Sequence, residues 1–265
     1  MLILSSDFQE NFTDYRRGLL GQTPRTNPFL RNSVFPYVFT YNGAYYMAYG
    51  TQPETNIYLA TSTDGAHWGQ ANSGNPIFTS TTTTSLWYHA VFNPGIAVVG
   101  NTWYLFQEGE ASGVNFKLGF SSSVFSNNIN FNVNVTSYPI ISDYAGNPYL
   151  TCVPDRNALL AVYGDVQTGT WQLKASYAYL TSNLRQVSSW IKAPRFGLSV
   201  SGIHIADPTM VFNTGTFGNF GFILQYNYNQ RNGYQINNPA TLDQFFDVIS
   251  VHWLPYWVDC LRRCF

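Results

Sequence analysis

Phe35-Pro36-Tyr37-Val38-Phe39-Thr40-Tyr41-Asn42-Gly43-Ala44-Tyr45-Tyr46-Met47-Ala48-Tyr49-Gly50 reads as strand, tight turn, strand. Asn42-Gly43 is a strong hairpin signal, because a type I′ turn needs positive φ at both central residues. Tyr, Val, Phe and Thr on either side are strand formers. The plan recurs three times: Asn93-Pro94 to Phe106, Asn147-Pro148 to Gly164, and Asp207-Pro208 to Tyr226. Each copy opens on a residue followed by proline, then gives a short apolar strand, a turn and an aromatic-aliphatic strand. The leading residues stand at 35, 93, 147 and 207, so the spacings are 58, 54 and 60. A period of this size in an all-β chain predicts propeller blades.

Working outward, each unit gains outer strands. Ile57 to Ser62 is a third strand, followed by an Asp64-Gly65 turn that returns Trp68 to the core, with Asn75-Pro76-Ile77-Phe78 outermost. Unit two adds Phe116 to Ser121 and Tyr138-Pro139-Ile140-Ile141. Unit three adds Trp171 to Tyr177 and Ala193 to Phe196. Unit four adds Gly233 to Ile236 and Phe245 to Ile249. A fifth start at Leu254-Pro255-Tyr256-Trp257-Val258 has too little chain after it for a blade, and residues 1–34 can supply the missing strands. The expectation is one all-β domain over 1–265, a five-bladed β-propeller with a ring closed by strands from both termini, 1–34 with 254–265. Such closure removes sheet edges. Four blades plus an N-terminal arm is the rival. Thr79–Ser85 and the 121–134 stretch read as Ser/Thr/Asn-rich loops.

Charged residues are 10% of the 265 and the formal net charge is −1. With no basic run, nucleic-acid binding driven by counterion release is not expected. No apolar run is long enough for a bilayer, and Met1-Leu2-Ile3-Leu4 lacks the basic lead and length of a signal peptide. The three cysteines, Cys152, Cys260 and Cys264, make no disulfide framework; Cys260 and Cys264 read as free thiols or a terminal disulfide. Two neighbouring cysteines do not complete a zinc site, and no nucleotide fingerprint or metal cluster stands out, so neither cofactor nor metal is expected. A polar, uncharged, Tyr- and Asn-rich surface suits neutral ligands such as sugars. It equally suits a packed assembly with other structural proteins, such as a phage or virus particle.

The run from residue-Pro through Asn-Gly and Tyr-Tyr-aliphatic-aliphatic-Tyr-Gly to Leu59-Ala60-Thr61-Ser62-Thr63-Asp64-Gly65-Ala66-His67-Trp68 resembles the five-bladed propeller glycoside hydrolases. These are the family 43 arabinosidases and xylosidases, the fructan hydrolases and the mannoside phosphorylases. The resemblance covers roughly 33–250. It implies carboxylic acids at the starts of the innermost strands, often as Asp-Pro, converging on an axial pocket. There one protonates the leaving oxygen and another activates water or attacks the sugar. Here those positions hold Phe35, Asn93, Asn147 and Asp207, and of these Asp207 is the acid. The acids the resemblance leaves are Asp207, with Glu108 and Asp165 after the second hairpin strands of units two and three. Glu110, Asp155 and Glu54 lie in turns or loops.

The pair His204 and Asp207 reads either as site chemistry or as a capped strand start. Glu108 and Glu110 read as solvated loop acids if not catalytic, and Asp64 as turn chemistry. For ligand contact the candidates are Asn93, Asn147, His204 and His89, with Tyr37, Trp87, Tyr88 and Tyr149 as aromatic faces for a sugar. The alternative for the aromatics is packing between blades. Three functions follow: a glycan-binding propeller without the hydrolytic triad, displayed outward on a particle; an active glycoside hydrolase with rearranged acids; or a structural assembly protein with no ligand.

Overall fold

The computed structural model describes residues 33–111, 116–141, 144–153, 157–166, 169–198, 205–214 and 220–228. Among them the chain forms four antiparallel sheets. The first holds β1 (Ser33–Tyr41), β2 (Ala44–Thr51) and β3 (Asn56–Ser62), with two short edge strands, β4 (Gly69–Gln70) and β5 (Phe78–Thr79), both paired to β3. The second is β6 (Ala90–Val99), β7 (Thr102–Glu110) and β8 (Lys117–Val124). The third is β9 (Ala145–Val153), β10 (Ala158–Asp165), β11 (Gln172–Tyr179) and β12 (Ile191–Leu198). The fourth pairs β13 (Ile205–Thr214) with β14 (Phe220–Tyr228).

The innermost strand of each sheet packs on the innermost strand of the next: β1 on β6, β6 on β9, β9 on β13. Four meandering sheets standing face to face in chain order make a β-propeller. The strand alternation explains the stacking. Along β7, Trp103 and Leu105 point to the first sheet and pack with Ile57, Leu59 and Phe78. Phe106 points the other way and packs with Leu150 and Leu159 of the third sheet and with Trp190, just before β12. A strand buried on both faces presents alternate side chains to two neighbours.

The Asn42-Gly43 turn has the expected left-handed backbone, with φ 48° and 75°. The Asp64 turn also forms as read. Its carboxylate accepts from the N–H groups of Ala66 and His67 at 2.9 and 2.8 Å and pairs with His67 Nδ1 at 2.7 Å. These donors, the His67 N–H foremost, hold the Asp64 carboxyl well below its ordinary range. Trp68 packs beside Met47, Tyr49 and Ala60.

Five local expectations change. The outer strand of unit two is a single bridge, Leu118 to Ile141. Pro139 has no N–H to give a ladder, and the N–H groups of Ile140 and Ile141 both go to Leu118 O, at 2.8 and 3.1 Å. Ser121 to Val124 continue β8, because their backbone pairs with Leu105 to Thr102, and a 3₁₀ turn at Phe131–Asn134 interrupts the rest of that loop. The outer strand of unit one shrinks to β5. Glu108 and Glu110 lie inside β7, paired with Leu118 and Ala90, so they are strand residues and not loop acids. Ser33 and Val34 belong to β1. Residues 1–32, the outer strands of unit four, the Leu254 start, Cys260, Cys264 and Asp155 lie outside the described residues, as do the blade count and ring closure.

Glycine allows the tightest packing at 119, where a Cβ would stand 1.7 Å from Trp87 Cη2. Gly119→Ala is expected to destabilise the fold by about 2–3 kcal/mol, by overpacking against a buried indole. Trp87→Leu in the Gly119→Ala background should recover part of that loss. Urea denaturation of the two single variants and the double variant checks both statements.

Candidate functional site

Each of the four innermost strands among the described residues breaks its ladder with a bulge near its start. Between Val34 and Tyr37 the extra residues are Phe35-Pro36, opposite Tyr49. In β9 they are Asn147-Pro148, opposite Tyr163, and in β13 Asp207-Pro208, opposite Tyr226. In β6 they are Phe92-Asn93, opposite Glu108, one residue ahead of the Asn93-Pro94 that the spacing selects. Proline has no N–H for the ladder, so residue-Pro fits a bulge. Phe35 and Asn147 take left-handed backbone there, φ 55° and 51°. Asparagine tolerates this region; a phenylalanine in it is strained by roughly 1–3 kcal/mol.

The register exposes a substitution within the repeat. The middle-strand residue facing the bulge is Tyr49, Tyr163 and Tyr226 in three sheets, and Glu108 in the second. Glu108 is 4% exposed. Its Oε2 accepts from Asn93 Nδ2 at 2.9 Å and from the Asn147 backbone N–H at 2.6 Å. Asn93 Nδ2 also donates to Asn147 Oδ1. The carboxylate lies against Gly146, where a Cβ would come within 2.8 Å of Oε2. One acid on β7 thus ties the start of β6 to the start of β9. The structure brings together three of the residues singled out in the sequence: Asn93, Asn147 and Glu108.

Tyr37 and Tyr149 are also brought together, with ring centroids 5.5 Å apart. The Tyr37 hydroxyl donates to Leu150 O at 2.7 Å, reaching past the second sheet to the third. Gly95 lies between, its backbone so close to Pro148 O that a Cβ would stand 2.7 Å from it. Burial pushes the Tyr149 phenol up to about 12 and raises Tyr37 well above the ordinary tyrosine value. These two rings stand two residues beyond the bulge residues Phe35 and Asn147 on β1 and β9.

Asp165 closes β10, is 7% exposed, and pairs with Lys174 Nζ at 2.6 Å. Trp87 is 3% exposed, sends its indole N–H to Thr136 O at 3.0 Å and packs over Gly109 and Gly119. Tyr88 packs on Phe78 and Trp87. His89 Nδ1 lies 3.0 Å from Thr81 O. Trp87, Tyr88 and His89 therefore build the crossing from the first sheet to the second. Asp207 occupies the β13 bulge, and His204 lies outside the described residues. A set of half-buried rings that the sequence reading did not select runs beside the Asn pair. Phe35 meets Phe92 at 6.1 Å, Phe92 meets Phe116 at 5.5 Å, and Phe116 meets Trp171 at 6.4 Å. The signal for Phe92 was the bulge register, which shifts the second strand start by one.

No family model matches the chain, and no curated protein matches it. Among solved structures it is similar to an endo-arabinase from Bacteroides thetaiotaomicron, at 13% identity and a TM-score of 0.54 over 78% of this chain and 74% of that one. It is similar to a family 117 glycoside hydrolase of the marine bacterium Zobellia galactanivorans, at 14% identity and 0.51 over 78% and 69%. A third similar structure, described as an RGII complex, has 10% identity and 0.51 over 77% and 73%. The chain therefore has the all-β fold of the propeller glycoside hydrolases.

Two outcomes are expected from this geometry. Glu108→Ala leaves the Asn147 N–H and Asn93 amide without their acceptor and should cost about 2–4 kcal/mol by chemical denaturation, with Glu108→Gln costing less. The raised phenols of Tyr37 and Tyr149 favour the neutral form in the fold. The Tyr149 contribution is complete below the unfolded value of about 10 and is lost as pH rises towards about 12, and that of Tyr37 is lost in the same direction. Denaturation across that window should show falling stability, with a shallower slope in Tyr149→Phe.

Proposed function

We propose that this chain is a glycan-binding propeller whose axial mouth keeps the shape of a glycosidase site without its set of acids. The observation that carries the reading is the commitment of Glu108. Its Oε2 is bonded to two donors of its own fold, one of them a backbone N–H. Hydrolysis of a glycosidic bond needs a carboxylic acid and a carboxylate facing the scissile bond from two sides. The bulges of the first three sheets carry Phe35, Phe92-Asn93 and Asn147 instead. These residues supply apolar faces and amide hydrogen bonds, the two ingredients of neutral sugar recognition.

The finer reading places the protein outward on a phage or virus particle, packed against other structural proteins. It is supported by composition: 10% charged residues and 17% aromatics in a chain of net charge −1. A second reading, an active glycoside hydrolase using Asp207 with Glu108 or Asp165, is favoured by the burial of the last two near the strand ends.

A panel of arabinan, xylan, fructan, mannan and bacterial-surface glycans separates these readings. The expected outcome is binding with no release of reducing ends. Release that vanishes in Asp207→Asn would establish the hydrolase. Neither binding nor release would leave the structural role.

A further inference from the structure

We infer that Asn93 Oδ1 and Asn147 Nδ2 form a paired acceptor and donor that recognises adjacent hydroxyls, or an acetamido group, on a neutral sugar unit. This rests on the glycan-binding reading and specifies its chemistry. The argument starts from Glu108. Its Oε2 already takes the Asn147 backbone N–H, a group that can only donate, so Oε2 is an acceptor and the group that Asn93 turns to it is the amide NH₂. That fixes an orientation which is otherwise ambiguous for an asparagine. The second hydrogen of the same NH₂ goes to Asn147 Oδ1. Asn147 is thereby fixed too, with its oxygen used and its own NH₂ turned away.

What remains is definite. Among the described residues neither Asn93 Oδ1 nor Asn147 Nδ2 has a bonding partner, and both residues are half-buried at the strand starts. One lone-pair acceptor and one NH₂ donor stand side by side on two adjacent sheets. Two neighbouring hydroxyls match this pair, one donating and one accepting. An acetamido group matches it with its N–H and C=O. A carboxylate does not, because it offers no donor to Asn93 Oδ1 and lies over the buried charge of Glu108. Phe92 flanks Asn93 in the chain and joins Phe35 and Phe116, giving an apolar surface for the C–H face of the same sugar. Glu108 is a positioning residue here: it sets which atom each amide shows.

The test is calorimetric titration of the full chain with xylotriose, triacetylated chitotriose, its deacetylated counterpart and trigalacturonate. Wild type, Asn147→Asp and Asn147→Gly are compared. Both variants keep the backbone N–H for Glu108 and tolerate the left-handed φ; Asn147→Gly should keep a thermal midpoint near wild type, while Asn147→Asp sets a second carboxylate beside Glu108 and should lower it. Wild type should bind one of the two neutral trimers. Preference for xylotriose identifies adjacent hydroxyls, and preference for the acetylated trimer over the deacetylated one identifies the acetamido group. Each variant should weaken that binding about tenfold, the effect of one lost hydrogen bond in a desolvated site. Equal binding by wild type and both variants, or tighter binding of trigalacturonate, would overturn the inference while leaving glycan binding intact. No binding to any trimer by wild type would overturn the glycan-binding reading and this inference with it.

Discussion

A carboxylate taken out of water must be given donors, and the way Glu108 obtains them organises the mouth of this propeller. The donors come from two other strands, 15 and 39 residues away in sequence. Their arrival fixes where β6 and β9 begin relative to β7, which in turn fixes Gly146, the one residue small enough to lie under the carboxylate. The asparagine side chains follow from that constraint. Tyr49 and Tyr163 at this place in the first and third sheets are buried rings that bring no carboxyl group to the strand starts. The exchange of tyrosine for glutamate thus turns a packing position into an electrostatic one.

The next layer along β1 and β9 is aromatic. Tyr37 and Tyr149 pack on one another, and the Tyr37 hydroxyl is satisfied by a backbone oxygen of the third sheet. The contrast between layers is chemical. The deeper one has its polar atoms used internally; the outer one retains an amide acceptor and an amide donor. A mouth built this way offers selectivity through hydrogen-bond pattern and ring faces, in a chain of low charge overall.

Much of the architecture was legible because it is written locally. Asn42-Gly43, the residue-Pro openings and the runs of Tyr, Val, Ile and Leu carry strand, turn and bulge chemistry within a few positions. The Asp64 turn is of the same kind, closed by donors two and three residues on. The fate of Glu108 was not legible in that way. Its position after an apolar strand looks solvated, and its partners are set by the stacking of three sheets. A repeat alignment carried the missing signal: Glu108-Gly109 falls where Tyr49-Gly50, Tyr163-Gly164 and Tyr226-Asn227 stand. Trp87 misled for a related reason. It lies close to a strand start in sequence, but the glycines at 109 and 119 open a slot that draws the indole into the core.

The reach of Tyr37 to Leu150 has a consequence for how the molecule comes apart. Stacked repeats that touch nearest neighbours alone behave as a linear chain of coupled units, able to fray from either end. A hydrogen bond spanning 113 residues and linking the first sheet directly to the third adds a contact between next-nearest neighbours. The second sheet is then enclosed on its inner edge, and losing it breaks the interfaces on both sides together with the clasp between them. These three sheets are therefore expected to unfold as a single cooperative unit, a property of the contacts between innermost strands and not of any one blade.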